Sequence, residues 1–230
     1  MELSTWNFIM RMILCVLLSV FVGIGVSAAV DAAAPRTDWP TYNNTYDSQR
    51  FSPLAQVTPT NVADLKPTCQ ITLGDAGLFQ SGMLMIEDTL YVTTGHTTVA
   101  LDPITCAERW RHLYVPEDTE VNPVNRGAAY LDGRLFRGTA DGRLLAIDAK
   151  TGKELWRVQA ADPHVGEFFN AAPIAWDNLI FIGPAGSDWG IRGWMAAFDA
   201  RTGKRVWHFN NIPEAGEAGA ETWKDTTHAL

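Results

Sequence analysis

An arginine and an aspartate in two glycine-containing segments have the clearest capacity for chemistry in this chain. Arg126 lies in Asn125-Arg126-Gly127, and its planar guanidinium could pair with both oxygens of a carboxylate. Asp188 follows Gly186-Ser187, and its carboxylate could offer a hard oxygen to a cation such as Ca²⁺. The structural alternatives are a surface charge for Arg126 and a loop-capping carboxylate for Asp188.

The cysteines and histidines indicate a possible disulfide and give no sign of a metal site. Cys69 and Cys106 are the two cysteines that follow an N-terminal apolar run, and export would place them in an oxidising compartment. A Cys69–Cys106 disulfide and two unrelated thiols are both open. The five histidines are scattered, without a His-x-x-His or His-Glu pattern, so the sequence predicts no histidine-ligated metal.

Three segments of the chain are versions of one another and indicate the fold. They are Ala100–Trp110, Ala146–Trp156 and Ala197–Trp207, which repeat at spacings of 46 and 51 residues, the period of a propeller blade. In each copy a strand ends at Ala-x-Asp, a turn follows, and a second strand ends in Trp. The repeated Trp predicts packing between blades, with stacking on a cofactor as the alternative. Cys106 stands where the other two turns have Gly.

The repeats predict an all-β protein with three β-propeller blades. We place the blades near residues 83–114, 128–159 and 173–209, within a partial propeller over residues 67–230. Closed propellers typically have about four to eight blades. We therefore expect an incomplete ring and the N-terminal part of a longer protein, with a small propeller assembled from several chains as the alternative. Residues 67–73 are predicted to form an extra outer strand that completes the last blade of a full ring.

The first 29 residues have the features of a signal peptide. Arg11 precedes the apolar run from Met12 to Val26, and Val26-Ser27-Ala28 forms a small-x-small cleavage site. The sequence therefore predicts export to the periplasm, and an uncleaved N-terminal anchor would be the only contact with a membrane. Residues 30–66 form a polar, turn-rich N-terminal segment that leads into the propeller.

Four groups of residues, taken in order, carry a resemblance to a known family. They are Asp38-Trp39-Pro40 with Arg50–Leu54, Asn61-Val62 and Leu65–Pro67; Asn125-Arg126-Gly127; Gly138–Leu144; and Gly183–Gly193. Together they resemble the pyrroloquinoline quinone (PQQ)-dependent alcohol dehydrogenases, periplasmic quinoproteins with eight-bladed propellers, such as the methanol dehydrogenase large subunit. The resemblance covers residues 38–223.

The resemblance implies a set of residues around a quinone on the propeller axis. The quinone is planar and carries three carboxylates. The cofactor-binding residues implied are Gln80, Arg126, Thr139, Ala185, Gly186 and Ser187. Arg126 would pair with a carboxylate and Thr139 would offer its hydroxyl, although Thr139 is also an ordinary strand residue. Asp188 would ligate calcium or a lanthanide, which polarises a quinone carbonyl as a Lewis acid.

Several positions depart from the usual pattern of the family. Asp188 and Gln80 stand where the family usually has Glu, and Ala185 stands where it usually has Ser. Many members have two adjacent cysteines where this chain has residues 120–123, Glu-Val-Asn-Pro. These departures suit a divergent subfamily better than a close methanol dehydrogenase. The catalytic Asp base is expected downstream of Leu230, so no catalytic residue is assigned and the chain alone is expected to be inactive.

Two functions of different classes follow from the sequence. The first is the N-terminal part of a periplasmic dehydrogenase that oxidises a small alcohol with PQQ and passes electrons to a cytochrome c-type acceptor. The second is a non-catalytic propeller scaffold of the outer-membrane assembly type, which would share the repeats but would not need Arg126, Thr139 and Asp188. The formal net charge of −8 argues against a nucleic-acid partner for either function.

Overall fold

The computed structural model describes residues 38–74 and 77–223, which form an all-β fold. The strands lie in three antiparallel sheets, each built from four consecutive strands, and this confirms the predicted three blades of an incomplete propeller ring. Blade 1 comprises β1 (Leu84–Ile86), β2 (Thr89–Thr93), β3 (Thr97–Leu101) and β4 (Glu108–Leu113); blade 2 comprises β5 (Ala129–Leu131), β6 (Arg134–Gly138), β7 (Arg143–Asp148) and β8 (Glu154–Gln159); blade 3 comprises β9 (Ile174–Trp176), β10 (Leu179–Ile182), β11 (Trp194–Asp199) and β12 (Arg205–Asn210). The predicted signal peptide over residues 1–29, and residues 30–37, lie outside the described residues.

Each blade is a meander whose first hairpin closes with a tight turn. In blade 2 this turn is Asp132-Gly133, with φ of 47° and 76°, and in blade 3 it is Asp177-Asn178, with φ of 47° and 61°. Two central residues with positive φ are typical of type I′ turns, whose twist matches that of the flanking strands. The turn residues therefore fix the register of the first two strands in blades 2 and 3.

The repeated tryptophans join each blade to the next, as the repeats predicted. Trp110 on β4 donates its indole N–H to the carbonyl of Ala149 in blade 2 (2.9 Å), and Trp156 on β8 donates to Ala200 in blade 3 (3.1 Å). A Cβ at Gly152 would lie 2.5 Å from the Trp110 ring. The turn glycine therefore allows both its φ of 72° and the close approach of the indole. We call this arrangement the tryptophan dock.

The hydrophobic core lies between successive blades, because each sheet buries one face against its neighbour. Leu84 and Tyr91 of blade 1 pack with Leu135 and Ile147 of blade 2. A second cluster joins blade 2 to blade 3 and includes Phe136, Leu144, Phe169, Ile180, Ile182 and Trp194. Burial of these apolar side chains is the main force that stacks the blades.

Blade 1 differs from the other blades at the position of the dock. Cys106 has a φ of 56° and donates its N–H to Asp102 O (3.0 Å), so it occupies the left-handed place of Gly152. Cys69 covers it through a disulfide, with the two Cα atoms 5.7 Å apart. A disulfide therefore joins blade 1 to the segment that precedes it. Cys106 holds the position in blade 1 that Gly152 holds in blade 2, where Trp110 covers the glycine.

The outer strand predicted over residues 67–73 would complete the last blade of a full ring, and it stays a prediction. In this structure the segment pairs with none of the described strands, and a strand needs a partner for its N–H and C=O groups. Ile71 and Leu73 pack on the apolar face of blade 1 that contains Val99, and Arg111 Nη1 donates to Leu73 O (2.7 Å). Side-chain packing and the disulfide therefore hold this segment in place.

The N-terminal segment crosses the first strand of every blade. Trp39 pairs with Met85 of β1, with N–O distances of 2.6 and 3.2 Å. Pro40 O accepts the N–H of Tyr130 in β5 (3.1 Å), and the Tyr46 hydroxyl donates to a carbonyl of β9 (2.5 Å). The segment therefore lies along the edge formed by the first strands. No helix among residues 38–74 and 77–223 has the length and apolarity that a membrane span requires.

Candidate functional site

The antiparallel topology places all the predicted cofactor residues at one end of the blades. In a four-stranded meander, the chain enters the first strand at the end where the second and third strands are joined. Gln80 and Arg126 precede β1 and β5, and Thr139 lies between β6 and β7. Residues 185–188 lie between β10 and β11 of blade 3. These segments share the end at which one blade is linked to the next, which we call the linker end.

The backbone of Arg126 joins three successive linkers. Its carbonyl accepts the N–H of Gly82, which precedes β1, and its own N–H donates to Asn170 O, which precedes β9; both bonds are 2.8 Å long. Gly82, Arg126 and Asn170 are each 44 residues apart, so equivalent positions of the linkers form a hydrogen-bonded ladder. Two backbone bonds on opposite sides therefore hold the main chain of Arg126.

The side chain of Arg126 lines a cavity of about 420 Å³ between the N-terminal segment and the start of β9. Tyr42 and Tyr46 lie on the side of the N-terminal segment, and Ala172 lies opposite. Arg126 Nε donates to Gln80 Oε1 at 3.2 Å, which brings these two predicted residues together. Arg126 is exposed and forms no ion pair among the residues that the structure describes. Its guanidinium can therefore bind an anionic group such as a carboxylate.

Thr139 forms hydrogen bonds within its own loop. It is buried, and its hydroxyl oxygen lies 2.5 Å from Asp141 Oδ1, to which it donates. The same oxygen accepts the N–H of Arg143 (2.9 Å). A hydroxyl carries a single hydrogen. While Thr139 donates to Asp141, it can only accept from a cofactor, so it does not provide the free donor expected for a carboxylate or a quinone oxygen.

Asp141 is the centre of a buried polar network beside Thr139. Its second carboxylate oxygen accepts the Tyr114 hydroxyl (2.5 Å) and the Glu117 N–H (3.1 Å). Burial acts to raise the pKa of Asp141, but the hydrogen bonds from Thr139, Tyr114 and Glu117 outweigh it and lower the pKa below its ordinary value. Burial and the ionised Asp141 together raise the pKa of Tyr114. The network therefore holds an ionised carboxylate behind the linker end.

The loop between β10 and β11 brings backbone close to the neighbouring linker. Ala185 forms a bridge with Phe168, with N–O distances of 2.8 and 3.3 Å. Gly186 has a φ of 130°, and a Cβ there would lie 2.4 Å from Gly166 O. The next residues, Ser187–Trp189, form a single 3₁₀ turn in which Asp188 is exposed. Asp188 forms no ion pair with any described residue, so its carboxylate is open to a cation.

One linker contacts all three predicted segments. Phe168 pairs with Ala185, the N–H of Phe169 donates to Thr139 O (3.0 Å), and Asn170 O accepts the N–H of Arg126. The linker between blades 2 and 3 thus brings these segments of two blades together at the linker end. Gln80 joins them through its bond to Arg126.

The described residues fit part of a site for a planar, carboxylate-bearing cofactor and its metal. Arg126 provides a guanidinium with no carboxylate partner among the described residues, whereas the missing side chain at Gly186 leaves room for Gly166 O. Among the described residues, no group of three or more His, Cys, Asp or Glu side chains could hold a metal ion. Asp188 offers a single hard oxygen, and it is not among the residues that line the Arg126 cavity.

The sequence analysis missed three residues of this region. Asp141 lies within Gly138–Leu144 and was given no role, although its spacing of two from Thr139 is a signal for a side-chain contact across the turn. Tyr42 and Tyr46 line the Arg126 cavity from more than 75 residues away in sequence, and no local pattern marks them. Contacts of this range depend on the tertiary fold alone.

Comparison with known families gives a match over most of the chain. Residues 39–229 match the PQQ family of glucose, ethanol and alcohol dehydrogenase β-propeller domains. The chain is 35% identical over 202 residues to the quinohemoprotein alcohol dehydrogenase ADH IIB of Pseudomonas putida, which covers 82% of this chain and 29% of that protein. It is 34% identical over 178 residues to a lanthanide-dependent methanol dehydrogenase of Methylacidiphilum fumariolicum, which covers 74% and 29% of the two chains.

Solved structures agree with these sequence matches. The model superimposes with a TM-score of 0.73 on a europium-containing methanol dehydrogenase, at 32% identity over 78% of this chain and 33% of the other. The quinohemoprotein alcohol dehydrogenase of Comamonas testosteroni gives a TM-score of 0.73 at 30% identity, over 84% of this chain and 30% of the other. The chain thus spans about a third or less of the length of the relatives it matches.

Proposed function

This chain belongs to the PQQ family of glucose, ethanol and alcohol dehydrogenase β-propellers, and we propose that it supplies one wall of the cofactor site of a dehydrogenase that oxidises alcohols. The observation that supports this most directly is Arg126. Arg126 lines a cavity at the linker end, and its guanidinium has no carboxylate partner among the described residues. A cofactor with carboxylates would provide that partner.

In this proposal each described residue has a separate role at the cofactor. Arg126 holds a carboxylate of PQQ, and Gln80 fixes the guanidinium by accepting from its Nε. Gly186 and Ser187 offer backbone N–H groups in the loop between β10 and β11, whereas the N–H of Ala185 is bonded to Phe168 O. Asp188 offers an oxygen to a calcium or lanthanide ion. When bound, PQQ accepts the two electrons that the alcohol loses.

Thr139 contributes through position rather than as a donor. Its hydroxyl is committed to the ionised Asp141, so it can accept a hydrogen bond but cannot neutralise a carboxylate. Arg126 therefore supplies the main electrostatic attraction for an anionic cofactor from this wall. The proposal makes affinity for the cofactor depend more on Arg126 than on Thr139.

We also propose that the 230-residue chain alone does not oxidise an alcohol, and the lining of the same cavity supports this. The described residues that line it are threonine, tyrosine, asparagine, serine, alanine, proline, isoleucine and Arg126. None of them is a carboxylate or a histidine that could take the proton of an alcohol hydroxyl at neutral pH. Catalysis would need a base from outside this lining, positioned together with the cofactor.

We further propose that the protein acts in the periplasm and passes electrons to a cytochrome c-type acceptor. The apolar run after Arg11 and the Val26-Ser27-Ala28 site support export. The Cys69–Cys106 disulfide is consistent with an oxidising compartment. Periplasmic and cytoplasmic fractions of a bacterial host that expresses the whole chain would test the location directly.

The central test is the affinity of the full chain for PQQ, measured by quenching of its tryptophan fluorescence. We expect Arg126→Ala to raise the Kd for PQQ about 10- to 150-fold, the range for a hydrogen bond to a charged group of ~1.5–3 kcal/mol. Arg201→Ala is a matched control, because Arg201 is exposed in the turn after β11, at the opposite end of the blade. Equal Kd values for the two variants would remove Arg126 from the site.

A further inference from the structure

The residue next to Arg126 is a buried asparagine that joins two blades. Asn125 is only 3% exposed. Its side-chain oxygen accepts the hydroxyl of Thr93 at the end of β2 (2.6 Å), and its amide donates to Gly138 O at the end of β6 (3.0 Å). Both ends of one short side chain are therefore used, one in blade 1 and the other in blade 2.

The same asparagine also fixes the linker in which it lies. Its side-chain oxygen accepts the N–H of Gly127 (3.0 Å), so it spans Arg126 and closes a tight local turn. Gly127 has a φ of 137°, and a Cβ there would lie 2.9 Å from Gly82 O. The linker is thus pressed against the preceding one at this point, and only glycine fits without displacement.

Arg126 itself lacks such support on its side chain. Among the described residues, its side chain forms one hydrogen bond, from Nε to Gln80 Oε1 at 3.2 Å. The direction in which the guanidinium leaves the main chain therefore depends on the conformation of residues 125–127. That conformation is held by the three bonds of Asn125 and by the backbone bonds of Arg126 to Gly82 and Asn170.

We propose that Asn125 is a positioning residue, which holds Arg126 in the orientation that binds an anionic group at the linker end. The inference rests on the proposed function, because PQQ is the anion expected there. Asn125 touches neither the cavity nor the cofactor in this proposal. It acts by keeping residues 125–127 in one conformation, so that the guanidinium does not have to be ordered when the ligand binds.

The test is a double-mutant cycle on the full chain, with PQQ affinity as the measurement. We expect Asn125→Ala to raise the Kd for PQQ on the order of tenfold, because the loss leaves buried polar groups unpaired and frees the linker. In the Arg126→Ala background, the same change should raise the Kd less than twofold, because Arg126 is no longer there to position. Equal fold-changes in both backgrounds would overturn the proposal.

Asn211→Ala is the matched control. Asn211 directly follows β12 at the linker end of blade 3, and its side chain forms no hydrogen bond among the described residues. The substitution keeps its backbone N–H, which donates to Gly193 O. It should leave the Kd for PQQ unchanged. An Asn211→Ala effect as large as that of Asn125→Ala would show that any asparagine truncation at the linker end weakens binding, and the proposal would fail.

A second measurement does not depend on PQQ. The N–H groups of Gly82 and Arg126 both form hydrogen bonds between linkers. The rate of their hydrogen exchange therefore reports how firmly residues 125–127 are held. We expect Asn125→Ala to speed exchange at both amides at least tenfold and to leave the N–H of Ile180 in blade 3 unchanged. Unchanged exchange at Gly82 and Arg126 would refute the positioning role. If the unsubstituted chain does not bind PQQ but Asn125→Ala still speeds exchange at these amides, Asn125 holds residues 125–127 in place and the proposed function is wrong.

Discussion

The disulfide in blade 1 can be tested by exchanging it for a tryptophan dock. Gly152 has a φ of 72° and Cys106 a φ of 56°, and the two residues follow the same turn of the repeat. Trp110 covers Gly152, whereas Cys69 covers Cys106. The perturbation is the double substitution Cys69→Trp with Cys106→Gly, which replaces the covalent link by the non-covalent pair found in the other blades.

The magnitude follows from the loop that the disulfide closes. The cysteines are 37 residues apart, for which the loss of chain entropy in the unfolded state corresponds to about 3.8 kcal/mol at 25 °C. We expect Cys69→Ser with Cys106→Ser to lower the free energy of unfolding by ~2–4 kcal/mol. A half-buried tryptophan contributes on the order of 2–3 kcal/mol of packing, so the exchanged protein should recover most of that loss.

The assay is urea unfolding of the full chain, followed by tryptophan fluorescence and circular dichroism with and without reductant. The unsubstituted chain should lose stability when dithiothreitol is added, and the exchanged chain should not. Cys69→Trp with Cys106→Ser is the control, because a Cβ at the equivalent Gly152 would lie 2.5 Å from the indole and block the dock. An exchanged chain no more stable than this control would show that the disulfide does not occupy the place of a dock.

Three further outcomes are expected from the same structure. Gly127→Ala should lower the free energy of unfolding by about 1–3 kcal/mol more than Gly133→Ala in urea melts, because both have positive φ but only the former places a Cβ 2.9 Å from a carbonyl. Trp156→Ala should lower the free energy of unfolding by about 3 kcal/mol, because it removes a tryptophan dock. Trp189→Ala should lower it by less than about 1 kcal/mol, because Trp189 is 55% exposed. Equal losses for the two variants would contradict the role of the dock. Hydrogen bonds from the backbone and side chain of its own turn lower the pKa of Asp102 from 3.8 to about 2, so its contribution to stability is complete above pH 3.8 and is lost as the pH falls to 2. Asp102→Asn should therefore make the midpoint of urea unfolding depend less steeply on pH between about pH 4 and pH 2. An unchanged pH dependence would refute this assignment.

The blades and the family could be predicted from the sequence because their signals are local and repeated. Ala-x-Asp and the Trp each occur three times at nearly constant spacing, and the Thr-Gly turn occurs in two of the three copies. The resemblance to PQQ-dependent dehydrogenases is confirmed for residues 39–229 by the family match. The resemblance implied that Arg126 faces a cofactor, and its place before β5 puts it at the linker end.

The outer strand predicted over residues 67–73 depends on a blade beyond the three described, and it stays a prediction. Its residues suit a strand, but a strand exists only where another strand supplies partners for its backbone. None of the described strands lies beside it, and the segment is held by Leu73 packing on blade 1, by Arg111 and by the Cys69–Cys106 disulfide. Local sequence reports the preference of a segment, and its neighbours decide the outcome.

The sequence by itself determined the all-β class, the three blades, the family and the segments that form the linker end. The tertiary structure alone decided how those segments are used. It commits the Thr139 hydroxyl to Asp141, opens the Arg126 guanidinium to a cavity under Tyr42, and joins the linkers at 44-residue intervals. Repeats and turns depend on residues a few positions apart, which leave a pattern in the chain. Hydrogen bonds and cavities join residues many tens of positions apart, and only the packing of one blade on the next sets their partners.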